Sequence, residues 1–449
     1  RENPPRLLAG GGVPVFAVND VSAWPRAGLT GEDVARIDRT MAWRNIWRHP
    51  RRTLLTVLAI AFACLLLVFM LSFQFGSYAT MINSSVKIHT GHLQVQAAGY
   101  RENPEIRRTI RRPGRVDRLL KHREQVAAAA FRAETHALVA SDRRSFGALV
   151  VGVDPRREAR VSSLEDMIRN GSYFQEDRQN TDLPPVLVGR LLAANLQLVP
   201  GDEMTLLGQG KDGSIAATVL RVAGIYASGM DEFDRAVVHI PFTTFQEVFS
   251  MGRAVHRVVV LAESLDQVPN LEAGLKAALK RKQFEQDLQT LTWDELQPGL
   301  KQAITLDLIS GAIFYLILIL VVAFSILNTF LMAVFERTRE FGVMLAIGVT
   351  PWRITRLVLT ESTFLAVIGV ILGMAGGCLL TLYFQAIGIN LGGTEELLEQ
   401  FGISGRIYPK LSLLSAGLGP ALVLLITLMT ALYPALKVRK FKPSILAVK

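Results

Sequence analysis

The chain has 449 residues, half of them hydrophobic, yet its formal charge is +10 at pH 7, so apolar and basic residues must be segregated. That combination describes a membrane protein with basic loops and weighs against a nucleic-acid binder, which would show its cations on a polar domain with a reading motif. Cys64 and Cys378 both fall in apolar runs, which excludes a disulfide framework and leaves them as small hydrophobes.

Residues 1–40 mix Pro, Gly and isolated apolar residues without a period. This predicts a disordered cytoplasmic tail, or a start placed too far upstream. Residues 41–52 read as an amphipathic interfacial helix. In "MAWRNIWRHPRR", Trp43, Ile46 and Trp47 share a helical face, with Arg44 and Arg48 off it, as suits a headgroup layer. A basic flank that merely fixes topology explains the same residues equally well. Residues 53–77 form the first predicted transmembrane helix, with an apolar core from Thr53 to Phe75 that is too long for a signal peptide.

Residues 78–303 are predicted to fold as an α+β domain outside the membrane, inserted between the first two spans. "HLQVQAA" alternates like a half-buried strand, and "VDRLLKHREQVAAAAFRA" has a helical pattern. "SFGALVVGV", "VLVG", "EMTLLG", "IAATVLRVAGIY", "RAVVHIP" and "HRVVVLAE" read as strands, and "LEAGLKAALKRKQFEQDL" as a further helix. No catalytic or metal-binding residues are assigned. HExxH and Gly-x-Ser-x-Gly are absent, and "GQGKDGS" lacks Walker spacing and reads as a hairpin turn. His89 and His92 have no further ligands nearby and are expected at strand edges. Asp231, Glu232 and Asp234 are expected to form a solvated acidic loop.

Three more spans follow, at residues 304–335, 351–387 and 411–436, with Pro420 and Pro434 placed to kink or end the last. Residues 336–350 between the second and third spans predict a short helix with Phe341, Met344, Leu345 and Gly348 along one face. Thr350 and Pro351 then open the next helix. Residues 388–410 form a loop on the outer side, with Glu395, Glu396 and Glu399, and residues 437–449 form a tail. Cations precede the first span (Arg44, Arg48, Arg51, Arg52), separate the second and third (Arg337, Arg339, Arg353, Arg356) and follow the fourth (Lys437, Arg439, Lys440, Lys442). With four alternating spans these clusters share one side, the cytoplasm by the positive-inside rule. Both termini are then cytoplasmic. Gly369, Gly373 and Gly377 recur every four residues and open a strip for close helix packing, within one protomer or at a dimer seam. Glu361, in the inner part of the third span, is expected to pair with Arg356 or to snorkel.

"ILNTFLMAVFERTREFGVMLAIGVTPWRI" resembles the signature of the FtsX-like permeases, the membrane subunits of MacB- and LolC/LolE-type (type VII) ABC transporters. "GHLQVQAAGY", "VGVDPRREARVSSLEDMIRNGSYF" and "PPVLVGRLLAANLQLVPGDEMTLL" resemble their periplasmic domain more loosely. The resemblance implies an α-helical protein of the bacterial inner membrane with four transmembrane helices and a large MacB-like periplasmic core domain. Residues 336–350 would be a cytoplasmic coupling helix, with Glu336, Arg337, Arg339, Glu340, Phe341, Gly342 and Met344 contacting a cytosolic ABC ATPase. The family usually has a basic residue near Leu345, which this chain lacks. Lacking a Walker motif as well, the chain would bind no cofactor, and ATP and Mg would sit on two copies of the partner ATPase. Further implied partners are a second permease subunit, identical or a sister chain, membrane lipid, and a periplasmic carrier or adaptor. The implied function is mechanotransmission that exports or extracts an amphiphile such as a lipoprotein or lipid. A signal transducer resembling FtsX, acting on a cell-wall hydrolase without transport, is the alternative.

Overall fold

In the computed structural model, the described residues are 31–174, 183–281, 286–390 and 406–438. The acidic loop residues Glu395, Glu396 and Glu399 and the C-terminal cations Arg439, Lys440 and Lys442 lie outside them. Two compact units are distinguished. One comprises Arg1–Ala59, Ala323–Gly369 and Ile426–Lys449, and the other Ile60–Val322 and Val370–Leu425.

Four helices are long and apolar enough to cross a membrane. They are α2 (Pro50–Ser85), α10 (Pro298–Glu336), α12 (Pro351–Ile387) and α13 (Leu413–Val438). Lipid leaves backbone groups no partner but the helix itself, so an unbroken apolar run becomes an unbroken helix. α13 accordingly continues through both Pro420 and Pro434, and neither ends it. At the other end, α1 spans Gly31–Arg48, ten residues before the expected start at 41. Its Asp38 is buried and accepts from Arg353 at 3.2 Å, a tertiary ion pair that no local pattern announces.

The inserted domain is a ten-stranded mixed sheet in the order β10-β1-β9-β2-β3-β8-β5-β7-β4, with β6 pairing β2 and β7. Its strands are β1 (Leu93–Ala97), β2 (Val126–Ala140), β3 (Ser145–Val153), β4 (Ile168–Gly171), β5 (Pro185–Gly189), β6 (Glu203–Gln209), β7 (Ile215–Tyr226), β8 (Val237–Pro241), β9 (Arg257–Ala262) and β10 (Leu288–Thr292). "GQGKDGS" is the β6–β7 hairpin turn, closed by Gly210 N–H donating to the Ser214 carbonyl. One core lies under α8 (Val268–Arg281), where Val268, Leu271, Leu275 and Leu279 recur at helical spacing against Val95, Val258 and Val260. A second packs α5 (Arg190–Leu196) and α7 (Phe242–Val248) onto Val150, Val188, Leu206 and Val238.

Folding overturns several local readings. The alanine run after Val126, expected as helix, is strand β2, and only Pro113–Leu120 (α3) is helical in that stretch. Alanine's helix preference amounts to tenths of a kcal/mol per residue, whereas β2 gains two neighbours, with Ala130 opposite Val259 and Thr135 opposite Val150. The small side chains of Ala128 and Ala130 also leave room for Val161 of α4 (Pro155–Val161). β1 is a central strand between β9 and β10 and is buried on both faces rather than one, with Gln94 and Gln96 covered too and the Gln94 amide donating to the Thr90 carbonyl at 2.7 Å. The helix expected to reach Leu288 stops at Arg281, and Leu288 opens β10; residues 282–285 lie outside the described residues. The acidic loop is a one-turn helix, α6 (Asp231–Ala236). Its Asp234 is buried and accepts from the Ser228 N–H at 2.9 Å and hydroxyl at 2.7 Å.

The outer end of α2 enters the domain through a π-helical turn, Val86–Thr90, and Gly91 at φ +69°. A β-carbon at Gly91 would stand 2.5 Å from Val259 Cγ1, so both conformation and space require glycine. His92 is buried rather than at a strand edge. Ala262 N–H donates to its Nδ1 at 3.1 Å, so Nε2 carries the proton toward Asn83 Oδ1 at 2.9 Å. Arg132 donates to the backbone carbonyl of His89 and grips buried Glu158 through two nitrogens, Nε at 3.1 Å and Nη2. Both histidines thus serve as structural ties. Among the described residues no group of three or more His, Cys, Asp or Glu is disposed to hold a metal.

Candidate coupling site

The stretch between α10 and α12 holds the densest charge network of the first unit. α10 ends at Glu336, Arg337 breaks the helical run at φ −98° and ψ 10°, and α11 follows over Thr338–Ala346. Gly348 at φ +92° then permits the turn into α12, where the Thr350 carbonyl accepts from the N–H groups of Arg353 and Ile354.

Arg337 turns inward. Its Nη1 donates to Glu361 at 2.8 Å, its Nε to Glu340 at 3.0 Å, and its guanidinium lies 5.3 Å from the centre of the Phe341 ring. Arg52, from the first turn of α2, reaches Glu336 at 3.3 Å and Glu361 at 3.7 Å. Two arginines therefore bracket the Glu361 carboxylate, and the charges cancel where water is scarce. Arg356, the expected partner of Glu361, points to solvent, because five residues along a helix rotate it about 140° away. Beneath the network, Phe341 packs in a cluster with Val334, Ile354, Val358 and Ala435.

The residues expected to contact an ATPase are divided by this arrangement. Arg337, Phe341 and Gly342 are buried and Met344 is half-buried, so they hold α11 in place. Glu336, Arg339 and Glu340 are exposed. Val343 and Ile347, which sequence reasoning passed over, are 58% and 74% exposed and complete the outward face. The pattern is legible in the sequence, since Arg339, Val343 and Ile347 follow one another at intervals of four; the expected contact set shares Arg339 with this stripe and omits the two apolar positions.

On α1, Trp43 and Trp47 are exposed and meet edge to face at 6.1 Å, while Trp43 also meets Phe364 at 5.8 Å. Arg44 and Arg48 are exposed beside them. Ile46 departs from the expected shared face: it is buried, and its carbonyl accepts the Thr53 hydroxyl at 2.6 Å. Along α12, a β-carbon at Gly373 would lie 2.4 Å from the Ala61 carbonyl oxygen, and one at Gly377 would lie 2.9 Å from Val68 Cβ. These two glycines thus seat α12 against α2 of the same chain; Gly369 is buried.

Four helices able to span a membrane, with a large α+β domain inserted after the first, define a multi-pass membrane protein with a large extracytoplasmic domain. Residues 53–278 match the MacB-like periplasmic core domain and residues 312–443 the FtsX-like permease C-terminal domain; the chain belongs to this MacB/FtsX-like permease family. Permeases of this family are non-catalytic membrane components. The chain is 26% identical over 381 residues to the macrolide export ATP-binding/permease protein MacB of Rhodospirillum rubrum, covering 82% of this chain and 54% of that protein. It is 23% identical over 268 residues to the lipoprotein-releasing system transmembrane protein LolC of Xylella fastidiosa, covering 59% and 62%. It therefore spans less than two thirds of either relative. Among solved structures it is similar to the periplasmic region of MacB from Actinobacillus actinomycetemcomitans, at 12% identity and a TM-score of 0.34, covering 48% of this chain and 94% of that one.

Proposed function

We propose that this chain couples ATP hydrolysis by an ATP-binding partner to movement of its extracytoplasmic domain, and so exports or extracts an amphiphile such as a lipoprotein or lipid. By the positive-inside rule the basic helix ends support a cytoplasmic position for α11 and for both ends of the four-span bundle in a bacterial inner membrane. The observation that carries the reading is the division of α11. Its inner side is fixed by Arg337, Glu361 and Phe341, with Glu340 held by Arg337, while Arg339, Val343 and Ile347 are left for a partner. A partner that pushes on this face acts through a salt-bridged, packed joint rather than a slack loop, so force applied there reaches α10 and α12. Two copies of the permease, or one with a sister chain, would pair with two ATP-binding subunits that hold ATP and Mg.

Co-purification with the ATP-binding subunit tests this. Val343→Asp/Ile347→Asp should abolish association while leaving membrane insertion unchanged, since both side chains already face outward. Undiminished association would remove α11 as the contact. Reconstituted vesicles holding the complex should then release a lipidated protein on addition of ATP, whereas activation of a wall hydrolase without release would favour the signalling role.

A further inference from the structure

We infer that a cleft between the start of α2 and the inner part of α10 is a binding site for the phosphate headgroup of an anionic phospholipid. The cleft is open to its surroundings and offers about 700 Å³, room for a headgroup. One wall carries Arg48, His49, Arg51 and Arg52. The other is α10, which contributes Asn328, Thr329 and the single acid Glu336. Three arginines thus face one carboxylate, and that carboxylate is engaged by Arg52 at 3.3 Å. Among the described residues no carboxylate lies within ion-pair distance of Arg48 or Arg51, and both are exposed.

Such an excess of guanidinium groups in a recess calls for an anion with several acceptor oxygens, which a phosphate supplies. The lipid rather than a soluble phosphate is indicated by the apolar surface that continues from the cleft. Met332 lines it and is 58% exposed, and Leu55 and Leu58, 67% and 52% exposed, follow Arg51 at four and seven residues on α2. A headgroup held by Arg48 and Arg51 would lay its acyl chains along these side chains, where the membrane-spanning runs of α2 and α10 begin. Basic recesses between helices at a membrane surface suit anionic headgroups for this reason. The inference does not rest on the ATP-coupled reading, because it concerns binding to the isolated chain.

The test uses the full chain, purified in detergent, stripped of lipid and titrated with phosphatidylglycerol or phosphatidylcholine, with bound lipid counted by native mass spectrometry. Phosphatidylglycerol should bind at least about tenfold more tightly, and Arg48→Gln/Arg51→Gln should weaken it about 30-fold, the scale of two arginines at an anionic surface. Arg36→Gln/Arg356→Gln removes the same charge from exposed positions that do not line the cleft, and it should change affinity less than about threefold. Equal binding of the two lipids, or equal losses in the two double variants, would overturn the site. Competition by millimolar inorganic phosphate as effective as that by the lipid would overturn the assignment to a lipid.

Discussion

Arg337 and Glu361 meet at 2.8 Å with each side chain only 9% exposed, joining the break after α10 to the first third of α12. Removing one partner of such a pair strands the other charge away from water, a loss of about 3–5 kcal/mol in comparable buried pairs. Arg337→Met and Glu361→Gln should each lower the unfolding midpoint of the purified protein in detergent. Combining them should cost less than the sum of the two, which a double-mutant cycle reads directly. Additive losses would mean the two side chains do not act as a pair.

Gly373 offers a sharper steric test. Its missing β-carbon leaves the Ala61 carbonyl room that any other side chain would fill, so Gly373→Leu should destabilise the protein by about 1–3 kcal/mol or more through overpacking. Gly417 has nothing within 4 Å of where a β-carbon would stand, and Gly417→Ala should be neutral or slightly stabilising in the same melting assay.

Cysteine labelling resolves which side of α11 is open. With Cys64 and Cys378 replaced by alanine, Val343→Cys and Ile347→Cys should react quickly with an impermeant thiol reagent from one side of the membrane only. Phe341→Cys, whose parent side chain is 1% exposed, should react far more slowly. Equal rates at positions 341 and 343 would show that α11 is not held as described.

The extracytoplasmic domain should lose stability as pH falls below about 6.5. Burial pushes His92 and His256 down to about 4 and His239 to about 3, from an ordinary 6.5. Between these values the unfolded chain binds protons that the folded domain refuses, so unfolding becomes easier as pH drops, by about 1.4 kcal/mol per pH unit for each histidine. The stabilisation is complete above 6.5 and is spent once pH reaches the folded values. His256→Asn should flatten the dependence of the melting temperature on pH in this window. An unchanged slope would show that the residue titrates normally.

The sequence alone determined the four spans, the inserted domain and the place of the charged joint, because these depend on composition summed over long runs. A bilayer needs some twenty apolar residues, and the stretches around Leu65, Leu320, Leu372 and Leu425 declare that without help from neighbours. Within the domain, seven strands were legible for a similar reason, β1 by its alternation and the other six as apolar runs between turns.

Tertiary structure decided what depended on a partner distant in the chain. The alanines of β2 became strand because Val259 and Val260 lie beside them, and Gln94 is covered where its amide donates to the Thr90 carbonyl at 2.7 Å. Glu361 found Arg337 and Arg52 rather than Arg356, since helix rotation removes the near cation and folding supplies the far ones. The same contacts turned Phe341 inward and left Val343 and Ile347 to the solvent. An amphipathic period shows that a short helix has two faces, but only the neighbours pressed against it settle which one is covered.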